Sequence, residues 1–128
     1  MEKEKISLQF LIKSVPESLL WNYVASAEGL RQWFATGVRK NPDGTMTFDW
    51  NGLETRVAKI VEIEPDTYIK FHWLDSPEDE FWSFEVSVLD LTDDTVLTVT
   101  DFSFPEDIED DKELWHSQIE DLRHLMGC

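Results

Sequence analysis

The sequence has little that could cross-link the chain or anchor it in a membrane. One of its 128 residues is a cysteine, Cys128, so no disulfide can form within the chain. No apolar run approaches the roughly 20 residues that span a bilayer. The segment Met1–Lys5 also lacks the apolar core of a signal peptide. These features predict a cytoplasmic protein that folds without oxidising conditions.

Basic residues are scarce as well. There are 11 lysines and arginines against 27 acidic residues, which gives a formal net charge of -16. Such a surface repels phosphate backbones and anionic lipid headgroups, so we expect neither a nucleic-acid nor a membrane partner. The charge is typical of a soluble monomer or weak homodimer. The negative charge favours a basic protein surface as macromolecular partner.

Motifs for bound ions, cofactors or nucleophiles are missing. The five glycines form no phosphate-binding loop and no Gly-x-Ser-x-Gly elbow. Neither acidic loop, 75–80 or 106–111, has the alternating ligands of a calcium loop. His116, Glu120 and His124 recur every fourth residue, but ligands on one straight helix cannot close around one small ion. We therefore expect no metal, no cofactor and no catalytic nucleophile.

The order of hydrophobic periodicities is the informative feature that is present. An alternating segment, 5–13, precedes two short helical patterns within 16–35; further alternating segments run to Phe104, and an amphipathic helix runs to Met126. A long antiparallel sheet must bury its apolar face against that helix. The sequence predicts one α+β domain over 1–128. Its curved antiparallel sheet of about six to seven strands wraps around a long C-terminal helix, with two short helices after the first strand.

Three local signals refine this architecture. Ser14, followed three residues later by Glu17, predicts the cap of the first helix, with Pro16 inside its first turn. The Asn51-Gly52 pair is a strong hairpin signal because both residues accept positive φ. The imperfect period around Ile60 predicts a bulge and leaves two registers open for the strand 54–63.

Several short motifs, in this order, resemble the START-like (helix-grip, SRPBCC) superfamily, in particular its branch of homologues of the activator of the heat-shock chaperone ATPase. The motifs are Pro16-Glu17-x-x-x-Trp21, Ala27-Glu28-Gly29-Leu30-x-x-Trp33-Phe34, Asp43-Gly44, Glu62-x-x-Pro65, Phe71-x-Trp73 and Phe102-x-Phe104-Pro105. The resemblance implies a cavity between sheet and helix that in many members holds an apolar molecule. Members also include cyclases, dehydratases and co-chaperones, so the fold does not fix the activity.

The predicted interface between sheet and helix is rich in aromatic residues. Its candidate ligand-binding residues are Phe48, Trp50, Phe71, Trp73, Trp82, Phe84, Trp115, Ile119 and Leu122. The same hydrophobic pattern fits a filled core or the wall of a cavity. The resemblance favours the cavity.

Two polar residues are candidates for the same interface. Alternation through Leu97 and Val99 places Asp101 on the inner face, either as a carboxylate that caps the last helix or reaches water, or as a buried general base. The facing of Arg56 and His72 stays open, with His72 a possible polar cavity residue.

The leading functional hypothesis is non-catalytic binding of a small hydrophobic or aromatic, lipid-like molecule. Two alternatives stay open: a co-chaperone-like interaction module with a basic partner, and a cyclase or dehydratase that uses Asp101 or His72 as acid or base.

Overall fold

The structure, a computed structural model, describes residues 2–13 and 15–127. Within these residues, seven strands and three α-helices follow the order that the periodicities predict. They are β1 (Glu4–Ile12), α1 (Glu17–Ala25), α2 (Ala27–Arg31), β2 (Gly37–Lys40), β3 (Met46–Trp50), β4 (Glu54–Glu64), β5 (Tyr68–Trp73), β6 (Trp82–Val88), β7 (Thr95–Ser103) and α3 (Ile108–Met126).

All seven strands form one antiparallel sheet in the order β1-β7-β6-β5-β4-β3-β2. Strands β2 to β7 follow one another as a meander, and β1 pairs with the last strand. At the hairpin between β3 and β4, Asn51 and Gly52 have φ values of 56° and 72°, as predicted. The register shifts between Ile60 and Glu62, which confirms the predicted bulge.

Helix α3 packs against the inner face of the sheet through Trp115, Ile119 and Leu122, the stripe that its periodicity predicts. It ends at Met126. The following Gly127 has a left-handed backbone (φ 76°) and donates its N–H to carbonyl oxygens of the last turn. The predicted α+β helix-grip architecture is therefore confirmed. None of the three α-helices in 2–13 and 15–127 is both long and apolar enough to cross a bilayer.

The start of α1 differs from the prediction. Pro16 is the N-cap residue, with an extended backbone and no side-chain hydrogen bond, so Pro16 precedes the first turn and the helix begins at Glu17. Ser14 lies outside the described residues. At the next helix, Ser26 Oγ accepts a hydrogen bond of 2.9 Å from the Gly29 N–H, which caps α2.

Candidate functional site

A cavity of about 330 Å³ lies between the sheet and α3. Strands β3 to β7, α3 and the segment after α2 all contribute to it. Its lining residues are Phe34, Trp50, Glu54, Arg56, Trp73, Trp82, Asp101, Asp111, Leu114, Trp115 and Gln118.

Stacked aromatic rings form one wall of the cavity. The Trp82 ring lies 4.1 Å from Phe71, 5.0 Å from Trp73 and 5.0 Å from Phe34, in each case stacked. From α3, Trp115 stacks on Phe34 at 5.9 Å. Offset stacking of this kind fixes the ring planes, so the wall is preorganised.

The structure divides the aromatic and aliphatic candidates into two groups. Trp50, Trp73, Trp82 and Trp115 line the cavity. The others do not reach it and have no exposed surface, since they fill the core beside it: Phe48, Phe71, Phe84, Ile119 and Leu122. The interface is thus a filled core over part of its length and a cavity over the rest.

Of the two polar candidates, Asp101 lines the cavity and His72 does not. In β5 the residues Ile69, Phe71 and Trp73 face inward, so alternation turns His72 to the outer face. There its Nδ1 lies 2.8 Å from the carbonyl oxygen of Glu80. The two proposed acid–base residues are on opposite sides of the sheet.

Six lining residues were not among the sequence-based candidates: Phe34, Glu54, Arg56, Asp111, Leu114 and Gln118. Helical spacing could have identified two of them, because Asp111, Trp115 and Gln118 follow one another at intervals of four and three on α3. The facing of Arg56 depends on the register of β4, which places this residue opposite Phe48 of β3.

Asp101 is held by two donors at the polar end of the cavity. Its Oδ2 accepts a hydrogen bond of 3.0 Å from Trp115 Nε1, and its Oδ1 accepts one of 2.8 Å from the Phe102 N–H. Burial raises the pKa of Asp101 above its usual value, against the effect of the two donors, and the nearby Asp111 carboxylate raises it further. Asp111 itself accepts a hydrogen bond from the Ser103 hydroxyl.

Arg56 is the basic residue of the lining. It pairs with Asp75, with Nη2 2.7 Å from Oδ1 and Nε 3.3 Å from Oδ2, and this hydrogen bonding lowers the pKa of Asp75. The guanidinium carbon also lies 4.2 Å from the centre of a Trp73 ring, a cation–π contact.

The indole N–H groups of the lining tryptophans differ in their partners. Trp115 donates to Asp101, and Trp50 Nε1 donates to the Phe34 carbonyl at 2.9 Å. Trp82 is 2% exposed, and its Nε1 is buried without a hydrogen-bond partner among the described residues. An unpaired buried donor is uncommon in folded proteins.

The cavity adjoins a surface groove at Phe34. This groove, between α3 and the segment after α2, shares Phe34, Trp50, Leu114 and Gln118 with the cavity. The Phe34 carbonyl accepts a second hydrogen bond, of 3.4 Å, from Gln118 Nε2 and so links the two sides of this groove.

The histidines of α3 are not arranged as a metal site. The His116 ring packs edge-on against Phe10 with ring centres 5.0 Å apart. Within 2–13 and 15–127, no group of three or more histidine, cysteine or carboxylate side chains is placed to hold a metal ion.

An antiparallel sheet that wraps a C-terminal helix, with a cavity between the two, defines the helix-grip class of proteins. The family model described as START-like superfamily domain matches residues 1–128, and the chain belongs to this superfamily. The comparison with curated proteins gave no match.

Solved structures share the fold. A protein from Bacteroides fragilis, whose solution structure is known, is 40% identical, with 98% of this chain and 93% of that one covered and a TM-score of 0.69. The Aha1 dimer from Colwellia psychrerythraea is 16% identical, with coverage of 94% and 93% and a TM-score of 0.75. CalU16 from Micromonospora echinospora is 15% identical, with coverage of 97% and 74% and a TM-score of 0.71. At 16% and 15% identity, the last two show the fold alone.

Proposed function

We propose that this protein binds a small aromatic or apolar molecule in the cavity between its sheet and α3. The observation that carries this proposal is the wall of four tryptophans and Phe34 around about 330 Å³ of space. Rigid aromatic walls supply large contact areas at low entropic cost. Membership of a superfamily that commonly binds hydrophobic ligands supports the proposal.

The size of the cavity limits the ligand. Small-molecule pockets range over roughly 300–1,000 Å³, and this cavity is near the lower end. It suits one fused ring system or a short chain. Affinity would come from burial of apolar ligand surface at about 25 cal/mol per Å², less the cost of ordering the ligand.

We propose binding without catalysis. Asp101 faces the cavity, whereas His72 lies on the outer face of the sheet, so the two cannot act on one substrate as acid and base. We further propose a cytoplasmic monomer or weak homodimer. The acidic surface supports one alternative, an interaction module for a basic protein.

The proposal can be tested with a neutral aromatic probe, 2-naphthylmethanol, in an NMR titration of the six tryptophan indole N–H signals. We expect the signals of Trp50, Trp73, Trp82 and Trp115 to shift together. Trp21, which does not line the cavity, is an internal control and should not move. No shift at millimolar probe, or equal shifts of all six signals, would contradict the proposal.

A pair of variants separates cavity binding from adsorption to the surface. Leu114→Trp adds bulk at the cavity lining and should weaken binding of 2-naphthylmethanol about tenfold in isothermal titration calorimetry. Leu91→Trp makes the same change at a 98% exposed position in the turn between β6 and β7, at the far end of that hairpin from Trp82 and Asp101. It should leave the affinity unchanged.

A further inference from the structure

We infer that the cavity selects aromatic molecules that carry a protonated amine. This inference rests on the proposed function and names the chemical class of its ligand. It depends on the charges of the lining residues and on the nature of the aromatic wall.

Carboxylates dominate the charged groups of the cavity. Glu54, Asp101 and Asp111 line it, against one basic residue, Arg56. None of the ion pairs formed within residues 2–13 and 15–127 includes any of these three carboxylates. Inside a partly desolvated cavity, carboxylates without a cationic partner attract a positive group on a ligand.

The charge of Arg56 is already compensated from outside the cavity. Asp75 does not line the cavity, and it holds the guanidinium in a two-pronged pair of hydrogen bonds. A carboxylate ligand would meet a guanidinium whose charge Asp75 already neutralises, and it would have to approach Asp101 and Asp111. An amine would meet those two carboxylates directly.

The wall itself suits a cation. Tryptophan is the aromatic residue that binds cations best, and four tryptophans line the space. One of them already holds a cation, since the Arg56 guanidinium lies over Trp73 at 4.2 Å.

The test compares three probes that share one ring system: 2-naphthylmethylamine, 2-naphthylmethanol and 2-naphthoate, which are cationic, neutral and anionic at neutral pH. Isothermal titration calorimetry on the full chain near 0.15 M salt reports each affinity. We expect the amine to bind about tenfold more tightly than the alcohol, and the carboxylate to bind most weakly.

Two variants distinguish the cavity carboxylates from the general field of an acidic protein. Asp111→Asn should weaken amine binding by about fivefold more than it changes alcohol binding. Asp110→Asn removes the same charge from the neighbouring exposed residue, which does not line the cavity, and should change neither affinity by more than twofold. Glu54→Gln, at an exposed position of the lining, gives a second carboxylate variant that does not depend on α3.

Each outcome decides the inference. An amine that binds no better than the alcohol would overturn it, as would equal losses in the Asp110 and Asp111 variants, while alcohol binding would leave the proposed function intact. A carboxylate probe that binds best would also overturn it. If none of the three probes binds, the proposed function falls together with the inference.

Discussion

At the residue scale, Asp101 lies in an environment that disfavours an ionised carboxylate. The inner face of a sheet is a costly place for a charge, and the hydrogen bonds from Trp115 and Phe102 offset only part of that cost. The net effect is a raised pKa. Because the folded state then binds the proton more tightly than the unfolded chain, the contribution of this group to stability is present at low pH. It is lost as the pH rises through the folded-state pKa.

This sign gives a prediction for Asp101→Asn. The variant keeps an acceptor for Trp115 but no longer ionises. The free energy of unfolding of the variant, minus that of the wild type, should therefore increase as the pH rises above about 3.8, the ordinary value of the carboxyl, and level off above the raised folded value. Urea unfolding at low protein concentration, followed by tryptophan fluorescence from pH 4 to pH 8, measures the difference.

The control for this measurement is the exposed Asp110→Asn, which removes the same charge from a solvated position. The difference in free energy of unfolding between this variant and the wild type should vary much less with pH. If the difference in free energy of unfolding for Asp101→Asn stays constant or declines with increasing pH, burial does not raise the pKa of this carboxyl.

At the scale of elements, the contact between α1 and α2 requires a glycine. A Cβ atom built on Gly29 would lie 2.0 Å from the carbonyl oxygen of Asn22 and 2.6 Å from the Cα of Tyr23. Both are backbone atoms, so the helices would have to separate. This separation would also disturb the segment that carries Phe34 to the cavity.

We therefore expect Gly29→Ala to lower the free energy of unfolding by about 3 kcal/mol, the cost of overpacking at a rigid contact. Gly37→Ala is the matched control. Its new Cβ would meet the nearest atom, Asp49 Cβ, at 3.6 Å, an ordinary contact, and should change stability by less than about 0.5 kcal/mol. Equal losses in the two variants, measured by urea unfolding, would rule out the steric explanation.

The elements of this fold could be predicted from the sequence because each has a local signal. The stripe of Trp115, Ile119 and Leu122 has the period of a helix buried on one side, and the Asn51-Gly52 pair accepts the positive φ values of the β3–β4 hairpin. The start of α1 was predicted less well, since a proline suits both the first turn and the residue before it.

The composition of the cavity was harder to predict, because long-range packing determines it. Phe48 and Trp50 share one face of β3 and have the same periodicity, yet Phe48 fills the core and Trp50 lines the cavity. The facing of Arg56 and His72 depended on strand register, and β4 contains a bulge. Asp101 was placed on the inner face correctly because β7 pairs with both of its neighbours without a register shift.

At the scale of the whole molecule, charge of one sign dominates. With a formal net charge of -16, the compact state brings like charges together, and this repulsion opposes folding. Lysine and arginine side chains pair with some of the acidic ones, as in Arg31–Glu28 and Arg56–Asp75, where the acidic partner is mostly exposed. Exposed pairs of this kind contribute roughly 0–1 kcal/mol each and offset little of the repulsion.

Added salt should therefore stabilise this protein. Raising NaCl from 20 mM to 500 mM shortens the Debye length to below about 8 Å, which weakens repulsion between distant carboxylates more than attraction within close pairs. We expect a gain of about 1 kcal/mol or more, which corresponds to an increase in Tm of roughly 3–6 °C in a thermal unfolding experiment.

The control is a triple variant, Glu64→Gln, Glu78→Gln and Glu85→Gln, which removes three exposed carboxylates. It should be more stable than the wild type at 20 mM NaCl and should gain less from salt, because less repulsion remains to be screened. A decrease in Tm with salt, or an equal gain in the variant, would show that specific ion pairs or general salting-out effects outweigh the repulsion.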